Sequence, residues 1–131
     1  MAWEIPVLVI SLKAGADLSA AANQFKFVEL DSSGDVTVCD SATDKPVGVL
    51  LNTPASGATA EVGVLGIFKV QGDADLAKGD LIGTSADGQA DAKTPGTDTT
   101  EYVVGRVLED NAAAGGYATC LINCLNPHRA A

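Results

Sequence analysis

Few residues of this chain have side chains that could act as a nucleophile, a general base or a metal ligand. His128 is the single histidine, and it follows Asn126 and Pro127 close to the end of the sequence. A histidine in that position is more typical of a solvated terminal side chain than of a catalytic base. The sequence has no believable Ser, His and Asp set, and it has no G-x-S-x-G motif that would present a serine nucleophile. The sequence therefore predicts that the chain is not an enzyme.

The three cysteines indicate buried, unreactive thiols. Cys120 and Cys124 lie four residues apart, which on a strand places them on one face but about 13 Å from each other. That separation is too large for a shared metal ion or for a disulfide bond. Cys39 has no neighbouring histidine or cation in the sequence that would activate its thiol. An odd number of cysteines without dense spacing is typical of a reducing compartment.

The acidic and lysine residues give only faint signals of a binding site. The stretches 73–75 and 87–91 are rich in Asp, but neither has the twelve-residue pattern ending in Glu that forms a calcium loop. Aspartates that form turns explain them better. Lys45 and Lys93 do not sit in the hairpin motif of a carrier domain that presents a modified lysine. We expect no metal and no cofactor, and a carrier or small-ligand domain stays a third alternative.

Charge and composition restrict the possible partners. The 131 residues carry a net charge of −9 and have a pI near 4.2, and such a surface repels both nucleic-acid phosphates and anionic membranes. The charge suits either a partner with basic patches or simple solubility, and the sequence does not separate the two. The apolar run 5–12 is short, and no Lys or Arg precedes it, so it fits neither a signal peptide nor a membrane span. We expect a soluble product made inside the cell.

The elements that would position these side chains are mostly short strands between Gly- and Pro-rich turns. The candidate strands are 5–13, 25–30, 35–40, 46–52, 59–71, 80–84, 89–93, 101–109 and 117–125. Their regular spacing predicts an all-β fold, a compact β-barrel or sandwich with at most one or two short helices. The segments 16–24 and 110–116 could form these helices or could equally be loops. The stretch 61–70 is apolar on both faces, so its second face is either buried in the same barrel or meets another subunit.

A short sequence motif ending in Val-Leu occurs twice in the chain. Val49-Leu50 and Val107-Leu108 lie 58 residues apart, and the triplet 16–18 (A-D-L) recurs at 74–76 with the same offset. We interpret this as a possible internal duplication of about residues 5–62 and 63–125, and the alternative is a chance match among common small residues. In each copy a glycine, Gly48 or Gly105, precedes the Val-Leu pair, and a strand glycine indicates a bend or a close backbone approach.

Taken together, the chain resembles the small decoration, or cement, proteins of tailed-phage capsids. The segments that carry the resemblance are A-D-L-S-A at 16–20, D-K-P-V-G-V-L-L-N at 44–52, the G-x-x-A-E-V-x-V-x-G spacing at 57–66, G-D-L-I-G at 79–83, Y-V-V-G-R-V-L at 102–108 and G-Y-A-T-C-L-I at 116–122. The resemblance implies a homotrimer on the outer surface of the virion, made in the host cytoplasm, that staples major capsid protein subunits without enzymatic activity. It implies no nucleic-acid or membrane partner. The alternative is a β-sandwich module of a tail fibre or another surface assembly.

The resemblance also implies roles for the two ends of the chain. We expect an N-terminal arm or edge strand at 1–12, a single β domain at 13–125 and a C-terminal tail at 126–131. Pro6 cannot donate to a strand ladder, which places the segment at a sheet edge. The candidate capsid or subunit interface consists of Trp3, Glu4, Ile5, Pro6, Val7 and Val9, with Trp3 as its anchor. The alternative is a first barrel strand with Trp3 in the core.

Overall fold

The computed structural model describes residues 2–131, and nearly all of its regular elements are strands. These are β1 (Ile5–Lys13), β2 (Phe27–Leu30), β3 (Val36–Val38), β4 (Gly48–Leu50), β5 (Thr59–Gln71), β6 (Leu81–Thr84), β7 (Ala90–Ala92), β8 (Tyr102–Val103), β9 (Gly105–Glu109), β10 (Tyr117–Asn123) and β11 (His128–Arg129). Val, Ile and Leu at alternating positions fit a pleated, half-buried surface, which explains why these segments form strands. The prediction of an all-β fold is confirmed.

The two segments with a possible helix form very little helix. A single 3-10 turn covers Ala21–Asn23, and residues 110–116 contain only turns and bends. Segments this short cannot offset the cost of nucleating an α-helix without strong capping, and the residue before the 3-10 turn makes no side-chain capping hydrogen bond. Within the described residues, no helix has the length and apolar character that crossing a membrane requires.

Strand β8 and the final strand, β11, form a small two-stranded sheet of their own. The predicted strand 101–109 is interrupted at Val104, whose N–H donates to the carbonyl oxygen of Ile82 at 2.9 Å. The part before the interruption, β8, pairs with β11, so that His128 lies opposite Val103. The N–H of Ala130 donates to the carbonyl oxygen of Glu101 at 2.9 Å. Backbone hydrogen bonds therefore tie residues 128–130 to the body of the domain.

The other strands form one curled sheet in the order β3-β2-β4-β5-β10-β9-β6-β7, with β1 paired to β5. The 13-residue β5 pairs with β1 along one edge, and with β4 and then β10 along the other. The sheet curls into a half-barrel, because the N–H of Phe27 in β2 donates at 2.7 Å to Gly88, between β6 and β7. The core inside is aliphatic with three phenylalanines, and its largest fully buried side chains include Phe27, Phe68, Leu50, Ile82 and Ile122.

The strand register shows the internal duplication directly. Lys13 of β1 pairs with Thr59 of β5, and 58 residues later Gln71 of β5 pairs with Tyr117 of β10. The next four pairs along both ladders keep the same offset. The strand β5 is therefore the last strand of the first unit and the first strand of the second unit. The boundary expected near residue 62 falls inside this one continuous strand.

In the second unit, the repeated Val-Leu motif is displaced by one residue relative to its partner strand. Leu50 pairs with Val62 of β5, whereas Cys120, which is equivalent to Val62, pairs with Val107. The register between β9 and β10 shifts at the next position. Leu50 therefore corresponds to Val107 in the fold, and Leu108 is an additional residue accommodated by a β-bulge.

Gly48 and Gly105 lie against the backbone of a neighbouring strand. A Cβ atom on Gly48 would come within 2.5 Å of the carbonyl oxygen of Gly63 in β5. A Cβ atom on Gly105 would overlap the carbonyl oxygen of Leu121 and lie 2.9 Å from Cδ1 of Ile122. Both units therefore use a glycine where the curled sheet brings two strands into close contact.

Candidate functional site

The residues with potential chemistry do not form a reactive centre. The ring of His128 is exposed on β11, with Nδ1 3.4 Å from the carbonyl oxygen of Asn126. Cys39, Cys120 and Cys124 are free and buried. Burial raises the pKa of Cys120 and of Cys124 to about 12 and also raises the pKa of Cys39. Thiols with raised pKa values stay protonated at neutral pH and are poor nucleophiles.

A cluster that the sequence did not indicate joins Glu29, Cys39 and Asp44. Strands β2 and β3 and the loop before β4 bring their donor atoms within 4.8 Å of one another. Burial raises the pKa of Glu29 to about 7, assisted by a hydrogen bond and the negative charge of Asp44. The Oε2 atom of Glu29 is buried and has no hydrogen-bond partner, so a proton between the two carboxyl groups would satisfy it.

This cluster suits a shared proton better than a metal ion. A thiol must lose its proton to bind a metal, and burial together with Glu29 and Asp44 raises the pKa of Cys39. The pKa of Asp44 is lowered even though burial opposes its charge, because Glu29 and the N–H groups of Asp40 and Ser41 donate to it. Glu29 is thus the proton donor of the pair, and Asp44 is the acceptor.

A second buried cluster centres on Lys93, whose side chain is 0% exposed. Its Nζ atom donates to Asp91 at 2.9 Å, to Glu101 at 2.5 Å and to the carbonyl oxygen of Thr84 at 2.9 Å. Burial opposes its charge, but the hydrogen bonds with Glu101 and Asp91 outweigh burial and raise the pKa of Lys93. Burial, followed by the charge of Asp91, raises the pKa of Asp73 to about 6. A charged, enclosed lysine cannot present a modified group, which argues against the carrier alternative at this position.

The densest group of exposed apolar side chains lies on β1 and just before it. The exposed fractions are 42% for Trp3, 56% for Ile5, 70% for Val7, 37% for Leu8 and 39% for Val9, and we call these five residues the β1 patch. The described part of the chain has nine large exposed apolar residues, and five of them fall in these seven consecutive positions. Such a concentration is typical of an interaction surface rather than of scattered surface residues.

The structure brings all six predicted interface residues together. Trp3, Ile5, Val7 and Val9 belong to the β1 patch, and Glu4 and Pro6 are exposed between them. Leu8 also belongs to the exposed patch, although it was not among the predicted interface residues. In the fold, both faces of β1 are open to solvent from Ile5 to Val9, so alternation does not distinguish them.

The chain before β1 lies across the outer face of the sheet. The N–H of Trp3 donates to Oγ1 of Thr119 on β10 at 3.1 Å, and Glu4 lies 3.9 Å from the Nζ atom of Lys69 on β5. Thr119 and Lys69 are direct partners across β10 and β5. Trp3 therefore reaches over β5 towards β10 and packs outside the core, with 42% of its surface exposed.

An apolar row extends the β1 patch across three strands. Leu121 of β10 pairs with Ile67 of β5, and Ile67 pairs with Ile5 of β1. Directly opposed residues in antiparallel strands project from the same face, so these three side chains are neighbours. Leu121 is 46% exposed, and this part of the surface was not predictable from sequence, since a single exposed Leu forms no motif.

Comparisons with known proteins agree with this picture of a structural protein. The family model described as phage cement protein matches residues 17–123. No curated protein matches the chain. Among solved structures, the N base of the head fibre gp8.5 of bacteriophage phi29 has a similar fold, with a TM-score of 0.63, 18% sequence identity, 89% of this chain covered and 94% of that chain covered.

These findings confirm the resemblance to the cement proteins. At 18% identity, the likeness to the head fibre base shows the fold alone. The family model covers most of the curled sheet, from the loop after β1 to the end of β10. The β1 patch lies before the matched residues. Because the match spans well over half of its residues, the chain belongs to the phage cement protein family.

Proposed function

We propose that this protein decorates the outer surface of a phage head as a homotrimer that staples neighbouring major capsid subunits, without enzymatic activity. Membership of the phage cement family supports a place on the capsid. The single observation that carries the binding role is the β1 patch, because a monomeric protein rarely leaves so many adjacent apolar side chains in water. Synthesis in the host cytoplasm followed by addition to the head fits such a role.

The physical basis of stapling would be rigidity combined with several contacts at once. A curled sheet with an aliphatic core gives a stiff body, and holding subunits together needs no reactive group. Three linked copies multiply weak contacts, since the second and third copies bind at a high effective concentration. The net charge of −9 would favour basic regions of the capsid surface.

Co-sedimentation with phage heads tests the proposal. We expect the native protein to bind expanded heads and to bind unexpanded heads weakly. Trp3→Ala should weaken head binding about tenfold or more, because a large aromatic side chain at the centre of an interface contributes most of its energy. Leu30→Ala, a change at a residue that is 49% exposed on β2 and outside the β1 patch, serves as the matched control. A native protein that sediments with neither kind of head would contradict the proposed function.

A second candidate is the base module of a fibre or another surface assembly. The observation in its favour is the fold shared with the head fibre base over 94% of that chain. Electron cryo-microscopy of decorated heads separates the two candidates. A cement protein leaves density in contact with several capsid subunits, whereas a fibre base also carries a projecting protein.

A further inference from the structure

A groove on the surface of the second unit combines apolar side chains with hydrogen-bond donors. Its cavity volume is about 360 Å³, and its apolar lining includes Leu81, Val103 and Leu121. Its polar side chains are Arg106, Asn123, Asn126 and His128. The chain has 17 acidic residues, yet none of the described residues that line this groove is acidic.

Arg106 gives the groove a fixed positive charge. Its side chain is exposed on β9, and the ion pairs within residues 2–131 are made by lysines and not by Arg106. Asn123 accepts the N–H of Leu125 through Oδ1 at 3.1 Å, which leaves its amide NH₂ group as a donor. These groups match a carboxylate, because a carboxylate accepts hydrogen bonds at both oxygens and can accept two at once from an arginine.

The internal repeat does not account for this arginine. In the shared register, the pair Arg106 and Leu121 of the second unit corresponds to the pair Val49 and Gly63 of the first unit. Both members of the first pair are buried, whereas Arg106 and Leu121 are exposed. The charged groove is therefore specific to the second unit, and arginine is enriched where proteins recognise one another.

The groove adjoins the apolar row that begins in the β1 patch. Leu121 belongs to both, because it pairs with Ile67 of β5 on one side and with Arg106 of β9 on the other. Directly opposed residues project from the same face, so Arg106 continues the row Ile5, Ile67 and Leu121. The strand order β1-β5-β10-β9 places β9 about 14 Å from β1. A partner that covers the β1 patch therefore also meets the groove.

We propose that this groove binds an acidic side chain of the major capsid protein together with an apolar neighbour, with Arg106 pairing with the carboxylate and Leu81 and Leu121 contacting the apolar side chain. A nucleic acid is a poor occupant, because its many phosphates meet a protein with a net charge of −9 and this groove offers one arginine. The inference deepens the proposed decoration of the head and rests on it for the identity of the partner. The β1 patch supplies apolar contact area, and the groove adds selectivity, since a charge left unpaired in a dry contact is costly.

Co-sedimentation with expanded heads tests the groove with two variants that change the net charge equally. Arg106→Glu should weaken head binding about tenfold or more and leave the circular dichroism spectrum unchanged, because two carboxylates then meet in the contact. Lys13→Glu is the matched control and should bind like the native protein. Lys13 is exposed at the end of β1 and pairs with Thr59, about 27 Å along β5 from Ile67.

Nuclear magnetic resonance tests the ligand chemistry without heads. Acetyl-Leu-Glu-amide should shift the amide signals of residues 103–106 and 121–123 in the native protein. Acetyl-Leu-Gln-amide should bind about tenfold more weakly or worse, because it lacks the charge that Arg106 pairs with. Arg106→Glu should remove the response to the Glu dipeptide, and Lys13→Glu should keep it.

The two measurements separate this inference from the proposed function. Native protein that binds heads while Arg106→Glu binds them equally well overturns the inference and leaves decoration intact. An equal loss of head binding in Lys13→Glu also overturns it, because the effect then comes from net charge. Equal responses to the two dipeptides, or no response to either, show that the groove does not select a carboxylate. Native protein that binds no heads refutes decoration, and the dipeptide titration then decides whether the groove takes a carboxylate.

Discussion

Replacing Glu29 by Gln should stabilise the protein at neutral and alkaline pH. Burial and Asp44 raise the pKa of Glu29 from 4.5 to about 7, so the folded protein holds this proton more tightly than the unfolded chain does. The free energy of unfolding should therefore be highest below the unfolded pKa and should fall as the pH rises through the interval between these two values. Gln imitates the protonated carboxyl group, since its amide can donate to Asp44, and it cannot acquire a charge.

The expected gain in stability follows from the size of the pKa shift of Glu29 and from the partial burial of its carboxyl group. A shift of this size corresponds to an upper limit of about 3.4 kcal/mol at about 1.4 kcal/mol per pKa unit. The carboxyl group is only partly buried, and its proton is shared with Asp44, so solvent screening reduces our expectation to about 1–2 kcal/mol. Glu29→Gln should gain this amount over the native protein at about pH 8 and almost nothing at about pH 4.

Urea unfolding midpoints at these two pH values measure the difference. Glu61→Gln is the matched control, because Glu61 lies on β5 and accepts a hydrogen bond from the hydroxyl of Ser11 at 3.1 Å, which Gln can also accept. The reasoning is refuted if Glu29→Gln is less stable than the native protein at the higher pH. It is also refuted if zinc ions stabilise the native protein and not the variant, because the cluster would then be a metal site.

Three other substitutions test the fold. Lys93→Met should lower the free energy of unfolding in urea by about 2–4 kcal/mol near neutral pH, because it leaves the carboxylates of Asp91 and Glu101 without their buried partner. This loss of stability should shrink in acid, where the carboxylates are protonated. A loss of the same size in acid would contradict this account. Gly105→Ala should cost about 1–3 kcal/mol, because its Cβ atom would overlap the carbonyl oxygen of Leu121. Gly48→Ala should cost a similar amount, and a native unfolding midpoint for either variant would count against the close approach of the strands.

The local pattern of apolar, polar and turn residues was enough to predict most of the strands and most of the internal repeat of 58 residues. Two of the four longest predicted strands, 5–13 and 59–71, agree with β1 and β5 at both ends, because a long apolar segment bounded by turn residues carries a strong signal. The repeated A-D-L triplet marks two leucines, Leu18 and Leu76, that are 4% and 2% exposed in equivalent places. The break at Val104 and the small sheet with His128 were not predictable, since they depend on partners more than twenty residues away.

The two charged clusters could not be predicted for a related reason. Glu29 and Asp44 are fifteen residues apart and have no recognisable motif, and only the pairing of β2 with β3 and β4 brings them together. The partners of Lys93 come from β7 just before it, from the end of β6 and from the loop after β7, and no recognisable motif links them. A pattern in sequence shows which face of a strand is buried, but it does not show which distant side chain lies opposite a polar group.

The internal repeat explains why the outer edge of β1 has no neighbouring strand among the described residues. A row of two units that share β5 must end with one strand whose outer edge has no successor, and here that strand is β1. Soluble proteins usually protect such an edge with charged side chains. Residues 5–10 of β1 carry no charged side chain, Pro6 is their sole protective feature, and apolar residues surround it. The same repeat that closes the core thus leaves the N-terminal strand with an open, apolar outer edge.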